Sequence, residues 1–200
     1  MINVSRALLV ACGLLLAAPA LSGEAEKGLL AFNSTEYDKA LTIWQPLADA
    51  GDAESQYGLG MMYGNGFGVP MDDALALKWY GMAAEQGHSG AQCNLAVMHQ
   101  NGWGVPLNEE EAVRLYSLAA DQGVSEAMLA LGRHFAMDFS EAYDPVKAYK
   151  WFSLAVLQND IDANSKRDSI AAKLTAEQIA EGNALVDVWS SSHAGLLAQQ

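Results

Sequence analysis

The hexapeptide "NGFGVP" at residues 65–70 returns as "NGWGVP" at residues 101–106, thirty-six positions later. A glycine-rich turn of this kind either cradles a ligand with backbone amides or joins two elements of a unit that recurs. The register outside the hexapeptide selects the second reading. Ser55, Ala91 and Ala127 align at the same period, as do Leu59, Leu95 and Leu131, then Gly60, Ala96 and Gly132, then Tyr63, His99 and Phe135. "KWY" at 78–80 meets "RLY" at 114–116 and "KWF" at 150–152, and "AAEQG" at 83–87 meets "AADQG" at 119–123. Three units result, at 53–88, 89–124 and 125–160, and a period of this size marks a stacked-repeat architecture. Ala40, Trp44 and "LADAG" at 47–51 fit the same register one period earlier, giving a degenerate helix pair over 24–52 whose connector is shortened to "NST" at 33–35.

Within a unit the spacing is helical. Ser55, Leu59, Gly60 and Tyr63 share one face, and Ala76, Trp79, Tyr80 and Ala83 share another, so each unit is expected to form two antiparallel helices. Gly64 or Gly66 would end the first helix in the left-handed conformation, which costs other residues about 1–2 kcal/mol. Asp72, Asn108 and Asp144 stand where the second helix needs an N-cap, and Pro145 occupies a first helical position. The third unit reads "MDFSEAYDPVKA" at 137–148 without glycine, which leaves its connector conformation open. Thr175 with Gln178 forms a capping box, so two closing helices are expected over 161–190, followed by a flexible tail at 191–200. The aromatics Tyr63, Trp79 and Tyr80 read as core between units rather than as a stacking platform for a cofactor.

The 200-residue chain is 51% hydrophobic, enough for one repeat stack. Residues 1–23 read as an export leader: Arg6, a short apolar run "ALLVACGLLLAA" at 7–18, and small residues "APA" at 18–20. The protein is therefore expected in the periplasm or outside the cell, with no stable membrane insertion after cleavage. "LVAC" at 9–12 imitates a lipobox, but the apolar run continues past Cys12, which argues against lipidation there. Loss of the leader leaves Cys93 alone, a small buried hydrophobe with no disulfide partner in the processed chain. Removing Arg6 takes the formal net charge from −13 to −14, which repels phosphate backbones and argues against nucleic acid as a partner.

Catalytic and metal chemistry find no footing. His88, His99, His134 and His193 have no H-E-x-x-H or C-x-x-C companion, and the connectors lack the lysine of a phosphate-binding loop. "DIDANSKRDSIA" at 160–171 opens like a calcium loop, but Ser165 stands where the turn glycine belongs and Ala171 where a bidentate glutamate belongs. Asp160 or Asp162 reads better as a helix cap. No cofactor is indicated.

"AESQYGLGMMYGNGFGVPMDDALALKWYGMAAEQG" at 53–87 closely resembles the Sel-1-like repeat, a member of the tetratricopeptide-like superfamily, and the resemblance covers residues 24 to about 160. It implies an all-α fold, an α/α solenoid of right-handed superhelical form, serving as a non-enzymatic scaffold for protein–protein interaction in exported bacterial proteins. A cysteine-stapled secreted branch of the family is associated with penicillin binding or hydrolysis. This chain lacks those cysteines and any S-x-x-K, so a cell-wall-active or β-lactam-related hydrolase stands as the alternative, beside a small-molecule or glycan binder. If the 55, 59, 60, 63 stripe is consumed by packing, the opposite face of each first helix should meet a protein or peptide partner. That row is Gly58, Met61 and Met62; Asn94, Val97 and Met98; Ala130, Arg133 and His134. Its methionines suit an adaptable apolar grip, and Arg133 with His134 suits an acidic group.

Overall fold

The computed structural model describes residues 23–138 and 140–197; the expected leader and Cys12 lie outside the described residues. Every regular element among them is a helix: α1 (Gly23–Asn33), α2 (Tyr37–Asp49), α3 (Ala53–Asn65), α4 (Asp73–Glu85), α5 (Ser89–Asn101), α6 (Glu109–Ala120), α7 (Ser125–Ala136), α8 (Pro145–Leu157), α9 (Ile161–Ala171), α10 (Ala176–Ser192) and α11 (Ala194–Leu197). The fold is an α/α repeat of the solenoid class. Helices α3, α5, α7 and α9 begin thirty-six residues apart, and so do α2, α4, α6 and α8.

Side chains at fixed repeat positions set those starts. The Asp52 carboxylate accepts from the Ser55 amide at 2.8 Å, His88 Nδ1 accepts from Ala91 at 3.1 Å, and Asp160 accepts from Asp162 and Ala163 at 3.0 and 3.1 Å. Asp72, Asn108 and Asp144 cap the second helices as expected, accepting from Leu75, Glu111 and Lys147 at 3.0, 3.0 and 2.9 Å. Each such cap is worth about 1 kcal/mol. Thr175 and Gln178 form the complete capping box of α10.

The repeated hexapeptide is a stop signal. Gly66 and Gly102, at φ 74° and 69°, end α3 and α5 in the left-handed region, and their amides donate to the Met62 and Met98 carbonyls; Gly64 lies inside α3. The connectors then close with one recurring bond, Asp72 N–H to Tyr63 O at 3.0 Å and Asn108 N–H to His99 O at 2.9 Å. The glycine-free third connector closes identically, Asp144 N–H to Phe135 O at 2.9 Å, although α7 ends at Met137 in extended rather than left-handed backbone. The connector also seats on the preceding unit: a Cβ at Gly68 would collide with the Cβ of Tyr37, and one at Gly104 would lie 2.8 Å from the Asp73 carbonyl oxygen.

The chain divides into two compact bodies, residues up to 115 and from 116 onward. In the first, α2 and α4 each lie between two first helices, and glycines let aromatic rings nest against helix backbones. Trp44, 1% exposed, donates from its indole N–H to Ala25 O at 3.1 Å and sits between Gly28 and Gly58, where added Cβ atoms would meet the ring. Tyr80 nests on Gly60 in the same way. Tyr57, Ala76, Tyr80, Ala83, Ala91 and Met98 form one core cluster; Ala40, Trp44, Leu59, Met62 and Trp79 form another. The aromatic stripe is core, as its spacing indicated. Cys93 is buried in α5 and is disulfide-bonded, where the sequence reading left it without a partner once the leader is removed.

In the second body α7 packs on α8 and α8 on α9, with Phe152 nested on Gly132, where a Cβ would stand 2.5 Å from the ring. The closing helices depart from the pattern. In α9 the stripe that runs Leu59, Leu95, Leu131 and Gly60, Ala96, Gly132 continues as Arg167 and Asp168, an ion pair at 2.8 Å, which gives a hairpin partner nothing to nest against. Helix α10 docks instead on α8, its Gly182 under the Tyr149 ring and its Asn183 Oδ1 accepting from the Tyr149 hydroxyl at 3.1 Å. Where composition led us to expect a flexible tail from 191, α10 runs on to Ser192 and α11 adds a turn. Trp189 holds that end, donating to Asp121 at 3.0 Å and stacking on His193 with centroids 4.1 Å apart.

Candidate functional site

The expected partner-binding row is mostly core. Met62 is 0% exposed and Met98 1%, and Gly58, Met61, Asn94 and Ala130 are buried as well; a side chain without solvent access cannot grip a partner. The reason is the position of the first helices. Helix α3 touches α1, α2, α4 and α5, so both of its faces are consumed by packing, and the division into a packing stripe and a free stripe fails there. Val97 and His134 remain half-buried and Arg133 exposed. The His134 ring lies edge-on to Phe135 at 4.9 Å.

Of these residues Arg133 lines a groove. It lies within the second body, about 330 Å³ in volume, between the C-terminal turn of α7 and the length of α9. Phe152, Ala136 and Ile170 supply its apolar surface, and Arg133, Lys166, Lys173, Ser165 and Ser169 surround it. By the thirty-six-residue register Lys166, Ser169 and Ile170 are the continuation of the row through Gly58, Met61 and Met62. The row that is buried in earlier units comes partly into the open in the last one, at Lys166 and Ser169, while Ile170 stays buried. The departure was legible as a change of chemistry at a repeat position, though the sequence reading stopped the row at His134.

The electrostatics single out the same place. Among the described residues, Lys27, Lys39, Arg114, Lys147 and Arg167 are ion-paired with Glu24, Glu36, Glu111, Asp144 and Asp168. Lys78 and Lys150 lie over Trp79 and Trp151, 4.6 and 4.0 Å from the ring centroids. The three that remain are Arg133, Lys166 and Lys173, and all three line the groove. Lys166 reaches only the Asp162 backbone carbonyl, at 3.5 Å. Arg133 is felt by the buried Tyr116: burial pushes that phenol up to about 12, and the guanidinium opposes the shift.

Two further residues act in a way the sequence reading missed. Gln56 and Gln92, thirty-six apart and buried, donate to the carbonyls of Ala48 and Ala84 at 3.0 and 3.4 Å. Each satisfies a carbonyl near the end of the preceding helix, the signal being a buried polar residue at a constant repeat position. His88 joins neighbouring first helices, with Nε2 3.0 Å from Glu54 and its ring stacked on Tyr57 at 4.4 Å. The histidines stay dispersed: among the described residues, no three side chains able to ligate a metal come together. No described helix is long and apolar enough to cross a membrane.

Comparison with known proteins agrees with this geometry. The Sel1 repeat model matches residues 53–88, 89–124 and 125–160. Among solved structures, the chain is similar to a protective antigen of uropathogenic Escherichia coli that displays an SLR fold, at 28% identity and TM-score 0.76 over 88% of this chain. It is also similar to a Sel1 repeat protein from Oxalobacter formigenes, at 28% identity and TM-score 0.66 over 72% of this chain. The matches span 38% and 59% of those two chains. No curated protein matches.

Proposed function

The chain belongs to the Sel1 repeat family, and from that premise we propose that it is an exported scaffold that holds a protein partner in the bacterial envelope, as an adaptor or regulator. Sel1 repeats are a general protein-interaction fold. The observation that carries the reading is the use of polar side chains along the repeats: among the described residues, caps, carbonyl anchors and ion pairs take up Asp52, Gln56, Asp72 and the Glu54–His88 pair in holding the helices together, which suits a scaffold that offers its surface for recognition. The leader-like residues 7–18 support export.

Two measurements test the proposal. Mass spectrometry of the protein from an envelope fraction should find a new N-terminus between Ala20 and Gly23; an intact Met1 on soluble protein, or a diacyl group on Cys12, would refute export by cleavage. Affinity capture from an envelope extract should retain specific proteins in stoichiometric amounts. Retention of nothing beyond what an unrelated acidic protein retains would refute the scaffold role.

A further inference from the structure

We propose that the groove between α7 and α9 binds an acidic peptide segment, with Arg133, Lys166 and Lys173 meeting its carboxylates while one of its apolar side chains lies over Ala136. The inference rests on the scaffold reading and names the chemistry of the segment held.

Three observations favour this occupant. First, the three cations around the groove have no ion-pair partner among the described residues, in a chain whose formal net charge is −13. The contrasting hollow between α1 and α2 is also lined by two lysines, Lys27 and Lys39, but Glu24 and Glu36 hold them at 2.7 and 2.8 Å. Second, the lining between the cations is apolar: Ala136, half-buried, is its solvent-facing part, backed by the core residues Phe152 and Ile170. An inorganic anion would leave that lining unused, whereas a peptide presents carboxylates and an apolar side chain at the spacing of neighbouring residues. Third, the volume of about 330 Å³ stands at the low end of the roughly 300–1,000 Å³ typical of ligand sites, room for one side chain and its flanks. A long polyanion is disfavoured by the acidity of the rest of the chain. A short segment interacts within the screening length of about 8 Å at physiological salt, where the local cations dominate.

The test uses the full chain and three capped pentapeptides in calorimetry at low salt: Glu-Glu-Phe-Glu-Glu, Gln-Gln-Phe-Gln-Gln and Glu-Glu-Gly-Glu-Glu. The first should bind, and each of the others should bind at least about tenfold more weakly. A triple variant, Arg133→Glu with Lys166→Glu and Lys173→Glu, should weaken the first peptide by roughly 30-fold, three rim charges each contributing a few-fold, with an unchanged circular dichroism spectrum. The milder Arg133→Gln, Lys166→Gln, Lys173→Gln variant serves if the first fails to fold, and Lys27→Glu with Lys39→Glu should bind like wild type. Equal binding of the glutamine peptide, or no effect of the neutral triple variant, overturns the proposal. A wild-type dimer in sedimentation that the triple variant converts to monomer also overturns it, since the occupant is then a second copy of this chain. Capture of the same envelope proteins by wild type and triple variant removes the groove from the account and leaves the scaffold standing. Selective peptide binding by a protein that captures nothing supports the groove and counts against the scaffold.

Discussion

Replacing Gly58 by alanine sets two opposed effects against each other. Inside a helix the exchange should stabilise by about 1 kcal/mol, because alanine loses less backbone freedom on folding. At Gly58 the new Cβ would stand 2.7 Å from the Trp44 ring, about 1 Å inside the roughly 3.5–4.0 Å at which carbon atoms rest. The ring has no retreat: Gly28 closes its other side, its N–H is bonded to Ala25, and it is 1% exposed. Overpacking of this kind costs about 1–3 kcal/mol, so the balance for Gly58→Ala is a net loss of up to about 2 kcal/mol. Gly81, in the middle of α4, has nothing within 4 Å of an added Cβ, so Gly81→Ala keeps the whole propensity gain. At about 2–4 °C per kcal/mol for a chain of this size, melting followed at 222 nm should fall by up to about 8 °C for the first variant and rise by about 2–4 °C for the second. Trp44→Phe introduced into Gly58→Ala should recover part of the loss relative to Trp44→Phe alone. A Gly58→Ala protein that melts above wild type would refute the nesting of Trp44 between glycines as the reason for small residues at this position.

Two other substitutions probe what the sequence reading left open or misplaced. Met62→Glu with Met98→Glu should abolish the cooperative helical melt, since each places an unpaired carboxylate in a core position at a cost of roughly 3–5 kcal/mol; a folded double variant with wild-type helicity would return these methionines to the surface. Tyr116→Phe should move alkaline unfolding to higher pH. The Tyr116 phenol ionises near 10 when unfolded but is held up to about 12 when folded. Its contribution is therefore whole below pH 10 and lost as pH rises to 12, amounting to about 3 kcal/mol for this buried side chain. An unchanged alkaline midpoint in circular dichroism would count against that burial.

Short-range chemistry was legible in the sequence, and multi-body packing was not. The caps at Asp72, Asn108, Asp144 and Thr175 act within three residues, so spacing alone located them. The stops at Gly66 and Gly102 follow from a backbone conformation that glycine adopts without strain. The side of α3 left free did not follow, because a helix with four neighbours has no free side, and the periodic pattern records only that some face is apolar. The docking of α10 on α8 depends on Gly182 receiving Tyr149, a pairing across elements that no periodicity announces. Arg133 was located from its place in the row; its companions Lys166 and Lys173 were not, since what distinguishes them is the lack of an ion-pair partner among the described residues, a property of space rather than of order along the chain.

The seat of each connector on the preceding unit has a consequence for heredity. Gly68 rests on Tyr37, the first residue of α2, and Gly104 on Asp73, the first residue of α4. The joint therefore asks of its upstream neighbour only a helix start at the correct interval, which every unit provides. A copying slip that duplicates codons 53–88 in frame hands the new connector the same footing as the old one. Length in such a lineage can change in whole steps, each step arriving with its joint already made.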